Sequence, residues 1–292
     1  MTHAARVTAV FFLVLLGGHA AFVPRAPAVC ATRREQASSS PAAVGRQVLL
    51  LDPSVLTSIL EEASGERVFR ETAQLAALAR YPASRGFHRA AELVAEKARQ
   101  IGLKDVRILS FPAPIPRWDV IRGDLWLVAP EKRKLADTAH IGVSVAQFSR
   151  SVNVKADLVF VGTGTTEADY DGKDVRGKIV LASGPLPAVE EQAVRRRGAL
   201  GIVSFYQSEF FGVRPSPDAV SWGALPPTTT AFAFMISPAL GKRLSERLAQ
   251  GERLRVRARI QTERSEPGFY EMVTGEIPGT TIKNQDIVFS AH

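Results

Sequence analysis

The sequence predicts an α/β protein. Three observations predict it. Helix, glycine and strand follow one another over residues 87–109, a common α/β unit. Over 158–205 short apolar strands alternate with turns and a short helix. Near the end, 286–292 is an almost wholly apolar run with a polar residue at its tip, the pattern of a central strand buried on both faces.

A chain of 292 residues, 46% apolar and 23% charged, has an ordinary globular balance. It accommodates one large domain or two smaller ones, each with its own core. Its single cysteine, Cys30, rules out a disulfide within the chain and a cysteine-ligated structural zinc. Oligomeric state leaves no mark in the sequence.

Residues 1–28 read as a secretory signal. Arg6 and the amino terminus supply a short positive region, and 7–16 an apolar stretch of export-signal length. That stretch is short for a bilayer span, and Gly17-Gly18-His19 ends it. Small-residue cleavage sites follow at Gly18-His19-Ala20 and Ala26-Pro27-Ala28. A short amino-terminal membrane anchor is the alternative. A lipoprotein would use Cys30, but Val29 suits the preceding position poorly. The expected location is periplasmic or extracellular, with no membrane span beyond this segment. Ser38-Ser39-Ser40-Pro41 then marks a disordered leader.

Residues 53–102 are expected to be largely helical. Ala91, Val94, Ala98 and Ile101 recur at three- and four-residue steps and make one apolar face. Gly102 follows as a terminator, and 106–109 reads as a strand. His88, near the start of that helix, reads as a surface or capping residue. Pro112, Pro114 and Pro116 break the chain before a strand at 123–129. The strand 158–161 ends in Gly162-Thr163-Gly164, which lacks the Lys-Ser/Thr ending of a phosphate loop. A turn and a buried strand occupy 170–181, a short helix 188–197, and a strand 202–205. Ser237-Pro238 opens another helix, with serine suited to the cap and proline to the first helical position. Leu240, Leu244 and Leu248 repeat along it, and Gly251 ends it.

The net charge is +8, from 37 Lys and Arg against 29 Asp and Glu. The basic residues are spread out, apart from Arg195-Arg196-Arg197 and the arginines of 253–264. In the second group Leu254, Val256, Ala258 and Ile260 alternate with Arg253, Arg255, Arg257 and Arg259. That is a half-buried strand with a solvated basic face. No aromatic residue interleaves with these arginines, so nucleic acid is not an expected partner.

Three stretches together resemble the di-zinc aminopeptidases, family twenty-eight of the metallopeptidases. Residues 78–103 are similar to the loop, helix and Gly-Leu that open the family's peptidase domain. Residues 130–262 look like a protease-associated domain, most of all Asp174-Val175-Arg176-Gly177-Lys178-Ile179-Val180-Leu181 and Arg197-Gly198-Ala199-Leu200-Gly201-Ile202-Val203. Thr274-Gly275-Glu276-Ile277-Pro278-Gly279 and Ile287-Val288-Phe289-Ser290-Ala291-His292 resemble the family's Glu-hydrophobic-Pro-Gly turn and its strand ending in Ala-His-x-Asp.

The resemblance implies an incomplete zinc-exopeptidase α/β sandwich with an inserted α+β protease-associated domain. The division it implies is 1–28 signal, 29–50 leader, 51–129 first part of the peptidase domain, 130–262 insertion, and 263–292 first strands of the catalytic core. It implies hydrolysis of amino-terminal peptide bonds, two zinc ions and peptide substrates. It makes His292 the first metal ligand. The family's bridging aspartate, Glu-Glu pair with its general base, further acidic ligand and last histidine would follow His292. No catalytic residue is therefore expected within the chain, and zinc is not expected to stay on it. The alternatives are a non-catalytic protease-associated binding module of the cell envelope and an unrelated envelope α/β protein sharing short motifs.

Overall fold

The computed structural model describes residues 6–11, 52–207, 216–279 and 285–291. Most of the signal segment, the leader with Cys30, and His292 lie outside the described residues. The chain divides into two compact units, 15–73 and the remainder. The first contributes helix α1 (Pro53–Glu62) and most of α2 (Gly65–Ala76). Asp52 caps α1 by accepting from the Ser54 amide at 2.8 Å. Both helices leave large apolar side chains exposed, among them Ile59, Leu60, Val68 and Phe69.

The remainder is a mixed α/β fold with two sheets. Its elements are β1 (Arg6–Phe11), α3 (Arg85–Gln100), β2 (Lys104–Ala113), β3 (Arg117–Ala129), β4 (Arg133–Asp137), β5 (Val152–Phe160), β6 (Ile179–Ala182), α4 (Leu186–Val189), β7 (Gly201–Ser204), β8 (Ala233–Met235), α5 (Pro238–Ala249), β9 (Arg255–Ser265), β10 (Gly268–Ile277) and β11 (Asp286–Ala291). The smaller sheet has the order β11-β1-β10-β2 and the larger β4-β3-β9-β5-β6-β7-β8.

Helix α3 forms where the apolar period placed it. Ser84 caps it, accepting from the Phe87 amide at 3.1 Å. Lys97 and Arg99 lie in its last turn, where the helix dipole favours cations. Gly102, at φ +93°, then takes the left-handed turn that a Cβ would oppose. The small residues Ala91 and Ala95 let α3 sit close on the smaller sheet, against Val273, Val106 and Ile108.

The larger sheet is antiparallel over β4-β3-β9-β5 and parallel over β5-β6-β7-β8. Each side of the switch follows its sequence. Strand β9 alternates, with Val256, Ala258 and Ile260 turned into the core behind the buried Leu254 that precedes it. Strands β6, β7 and β8 are buried at every position, as parallel strands covered on both faces are. Ser237 caps α5, accepting from the Leu240 amide at 3.4 Å, and Gly251 ends that helix's turn at φ +85°. The helix expected over 188–197 starts earlier, as α4, and continues in wider π-type turns to Arg195.

The larger sheet begins at Arg117, directly opposite Ser265, so its first and last residues are cross-strand neighbours. Strands β2 and β10, which flank it in sequence, pair with each other in the smaller sheet. The 149 residues from Arg117 to Ser265 thus leave and re-enter the smaller sheet's hairpin at one point.

Two features of the smaller sheet differ from expectation. Strand β11 is exposed at all six positions, with Val288 and Phe289 each at 61%, whereas a strand buried on both faces was expected. The reason is its place: among the described residues it is the last strand in the order and pairs with β1 alone. In addition β1, drawn from the apolar stretch read as an export signal, lies between β10 and β11, antiparallel to the first and parallel to the second. A cleaved signal and a strand of the mature sheet are mutually exclusive roles for those six residues. No helix among the described residues is long and apolar enough to cross a membrane.

Candidate functional site

The sequence directs attention to the end of β11, because His292 follows Ala291. His292 itself lies outside the described residues. Among the described residues no group of three or more His, Cys, Asp or Glu side chains could hold a metal ion. They do not, by themselves, fit a two-zinc centre, which needs about three protein ligands for each catalytic metal.

Polar side chains instead gather at three places. The first joins α3 to the smaller sheet. His88 Nδ1 lies 2.7 Å from Glu271 Oε1 on β10, and Nε2 lies 3.4 Å from Glu92 Oε1 one turn along α3. The hydrogen bond to Glu271 favours the charged imidazole and raises the His88 pKa above its ordinary value, with Glu92 adding to the effect. Glu271 is 9% exposed, and its second oxygen has no hydrogen-bond partner among the described residues. A carboxylate so placed is stabilised chiefly by the cation beside it. His88 is thus a tie between helix and sheet, which extends the surface role expected for it.

The second place is the N-terminus of α3. Asp119 on β3 accepts from the Arg85 amide at 2.7 Å, and its other oxygen faces Arg117 Nε at 3.3 Å and Arg85 Nε at 3.8 Å. Beside it, Tyr81 is 1% exposed, donates its hydroxyl to the Val145 carbonyl, and meets Trp118 edge-on at 5.1 Å. Burial pushes its phenol far up, so it stays a neutral donor. These contacts lock the loop before α3 into the core of the larger sheet.

The third place is a cleft of about 450 Å³ at the β3–β4 corner, lined by Arg122, Asp124, Trp126, Lys134, Asp137 and Thr138 among others. Its two carboxylates are engaged. Asp124 accepts from Arg122 Nε and from Trp126 Nε1, both at 3.0 Å. Asp137 accepts from Lys134 Nζ at 2.7 Å, from the Ala139 and His140 amides, and pairs with His140 Nδ1 at 3.0 Å. The Lys134 bond leads in holding the Asp137 carboxyl well below the usual carboxylate range. The carboxylates fix the orientation of Arg122, Trp126 and Lys134.

The two basic runs fare differently. Arg195, Arg196 and Arg197 are taken up by the fold. Arg195 binds buried Glu190 at 2.9 Å, Arg196 pairs with Glu191 and Glu167 at 3.1 Å, and Arg197 lies 4.3 Å over the Tyr170 ring. Burial lifts the Tyr170 phenol to about 12. The arginines of β9 stay on the outer face, and Trp126 lies directly opposite Arg257. Sequence reasoning missed that aromatic because it sits on another strand.

No family model matches the chain, and no curated protein matches it. Solved structures do. An aminopeptidase from Aneurinibacillus sp. strain AM-1 is 19% identical, at a TM-score of 0.41, over 74% of this chain and 48% of its own. A zinc aminopeptidase from Bacillus subtilis is 16% identical, at 0.44, over 70% and 46%. A peptidase M28 precursor from Shewanella amazonensis SB2B is 15% identical, at 0.48, over 75% and 52%. The chain spans about half the length of the solved structures it matches.

Proposed function

We propose that this chain carries the N-terminal half of an exported, zinc-dependent aminopeptidase that hydrolyses amino-terminal peptide bonds, and that the 292 residues alone are inactive. The observation that carries the reading is the pair of motifs at 274–279 and 287–292 in their order, the first at the end of β10 and the second with its residues 287–291 on β11. His292 is the ligand position this reading assigns, with the remaining ligands and the general base supplied by sequence after it.

Two measurements test it. Purified 1–292, dialysed against metal-free buffer, is expected to retain less than one equivalent of zinc and to leave aminoacyl-nitroanilides intact. Hydrolysis of the nitroanilides would overturn the inactivity, and one tightly bound equivalent the expected lack of a metal site. The coding sequence after His292 is expected to continue, in some frame, with Asp two residues on and a Glu-Glu pair further along. A chain extended to include them is expected to bind two zinc ions and hydrolyse the same substrates, and an extended chain that binds none refutes the aminopeptidase reading.

A second reading, a non-catalytic binding module of the cell envelope, is favoured by the basic face of the larger sheet, where Lys155, Arg257 and Arg259 have no ion-pair partner among the described residues.

A further inference from the structure

The outer face of the larger sheet carries more positive charge than the fold uses. Directly opposite residues of a sheet share a face. Lys155 on β5 is opposite Arg257 on β9, Arg257 is opposite Trp126 on β3, and Trp126 is opposite Lys134 on β4. One row therefore crosses four strands as Lys-Arg-Trp-Lys. Arg255 and Arg259 lie on the same face two residues either side of Arg257, because the intervening Val256 and Ala258 are fully buried.

Few carboxylates answer these cations. Asp137 holds Lys134 Nζ at 2.7 Å, and Asp157 stands 3.9 Å from Arg255. Asp124, opposite Arg259, already accepts from Arg122 and Trp126. Arg257 is held by the neutral Asn153 carbonyl oxygen at 3.1 and 3.2 Å. Among the described residues no carboxylate comes within 4.0 Å of Lys155, Arg257 or Arg259. Like charges directly opposite each other, as Lys155 and Arg257 are, work against the sheet. The contrast with Arg195, Arg196 and Arg197, each engaged by the fold, marks this face as one left open.

We propose that this face docks an extended acidic peptide segment, with carboxylates at alternate residues meeting Arg255, Arg257 and Arg259. The repeat argues for it. Same-face residues of a strand recur about every 6.8 Å, and so do alternate side chains of an extended peptide, so the two series stay in step. Guanidinium groups take carboxylates in a forked, two-bond geometry. The aromatic residue argues against polymers that bind by stacking. Lys132 and Lys134 lie 5.7 and 5.1 Å from the Trp126 ring centroid, and Asp124 takes its N–H, so the ring is occupied.

The test is fluorescence anisotropy on the 1–292 chain with a labelled peptide of alternating Glu and Thr, beside a Gln-Thr peptide, a heparin oligosaccharide and oligo-dT. Saturable binding of the Glu-Thr peptide is expected, with no binding of the Gln-Thr peptide. A Lys155→Ser, Arg257→Ser, Arg259→Ser variant is expected to weaken it by about tenfold or more, and added salt to weaken it further. The variant removes repulsion and should keep the parent's circular dichroism. Lys242→Ser with Arg243→Ser, on α5, removes two cations elsewhere and is expected to leave binding unchanged. Absence of saturable peptide binding, equal loss in the α5 variant, or tighter binding of heparin or oligo-dT than of the peptide each overturns the proposal. The readout involves neither zinc nor hydrolysis, so its failure leaves the aminopeptidase reading standing.

Discussion

His88 bridges two carboxylates, Glu271 from β10 and Glu92 from its own helix, and both favour its charged form. The folded protein therefore holds the His88 proton more tightly than the unfolded chain does. Stability from this tie is fully present below the ordinary histidine pKa of about 6.5 and is lost as pH rises through the raised folded value. Because His88 is 53% exposed, solvent screens the pair, and the tie is worth about 1 kcal/mol or less. His88→Gln is expected to lower the urea midpoint at pH 5.5 and to have a smaller effect at pH 8.5. An equal loss at both values would show that the imidazole works by shape rather than charge. The position of His88 near a helix start was legible in the sequence. Its partner Glu271 was not, because 183 residues separate them and only the return of β10 beside β2 brings them together.

Strand β11 depends on β1. Among the described residues it has no other strand neighbour, and its side chains are exposed throughout, so the β1 ladder is the main contact they show for it. Strand β10 is different, since β2 pairs along its other edge and α3 covers it. Export processing that removes 1–28 would take β1 away and leave an apolar edge, the kind of edge that invites pairing with other chains. Hydrogen exchange is expected to show the β1-facing amides of 286–291 protected in the 1–292 chain and unprotected in 29–292, with the β2-facing amides of 268–277 protected in both. Protection of 286–291 in the shorter chain would mean that β1 is not what holds β11. The apolar run and its strand character were legible, since Ile287, Val288 and Phe289 are strand formers. Its exposure was not, because burial depends on which neighbours a strand finds. The alternation of β9 was legible for the opposite reason: it encodes its own inside and outside.

The larger sheet is an excursion from the smaller one. Arg117 and Ser265 sit side by side in register, and two apolar clusters fill the space between those limits, one around Leu125, Val256 and Phe234, the other around Val180, Ile202 and Met235. A segment whose ends meet and whose core is its own has what a domain needs to fold alone. Residues outside it qualify this: Ala79 and Ile115 pack against the first cluster, and Tyr81 goes further. Tyr81 reaches into the first cluster, with its ring against Trp118 and its hydroxyl on the Val145 carbonyl. Excising 117–265 leaves that space empty, and losing a buried aromatic side chain of this size costs about 3–5 kcal/mol. The excised segment is therefore expected to unfold in urea as one cooperative transition, at a midpoint well below that of the same segment extended back to residue 78. Tyr81→Ala in the extended segment should lower its midpoint to near that of 117–265. A broad, non-cooperative transition of 117–265 would show that the larger sheet needs the smaller one to fold. Equal midpoints for the excised and extended segments would show that Tyr81 only fills a surface dimple.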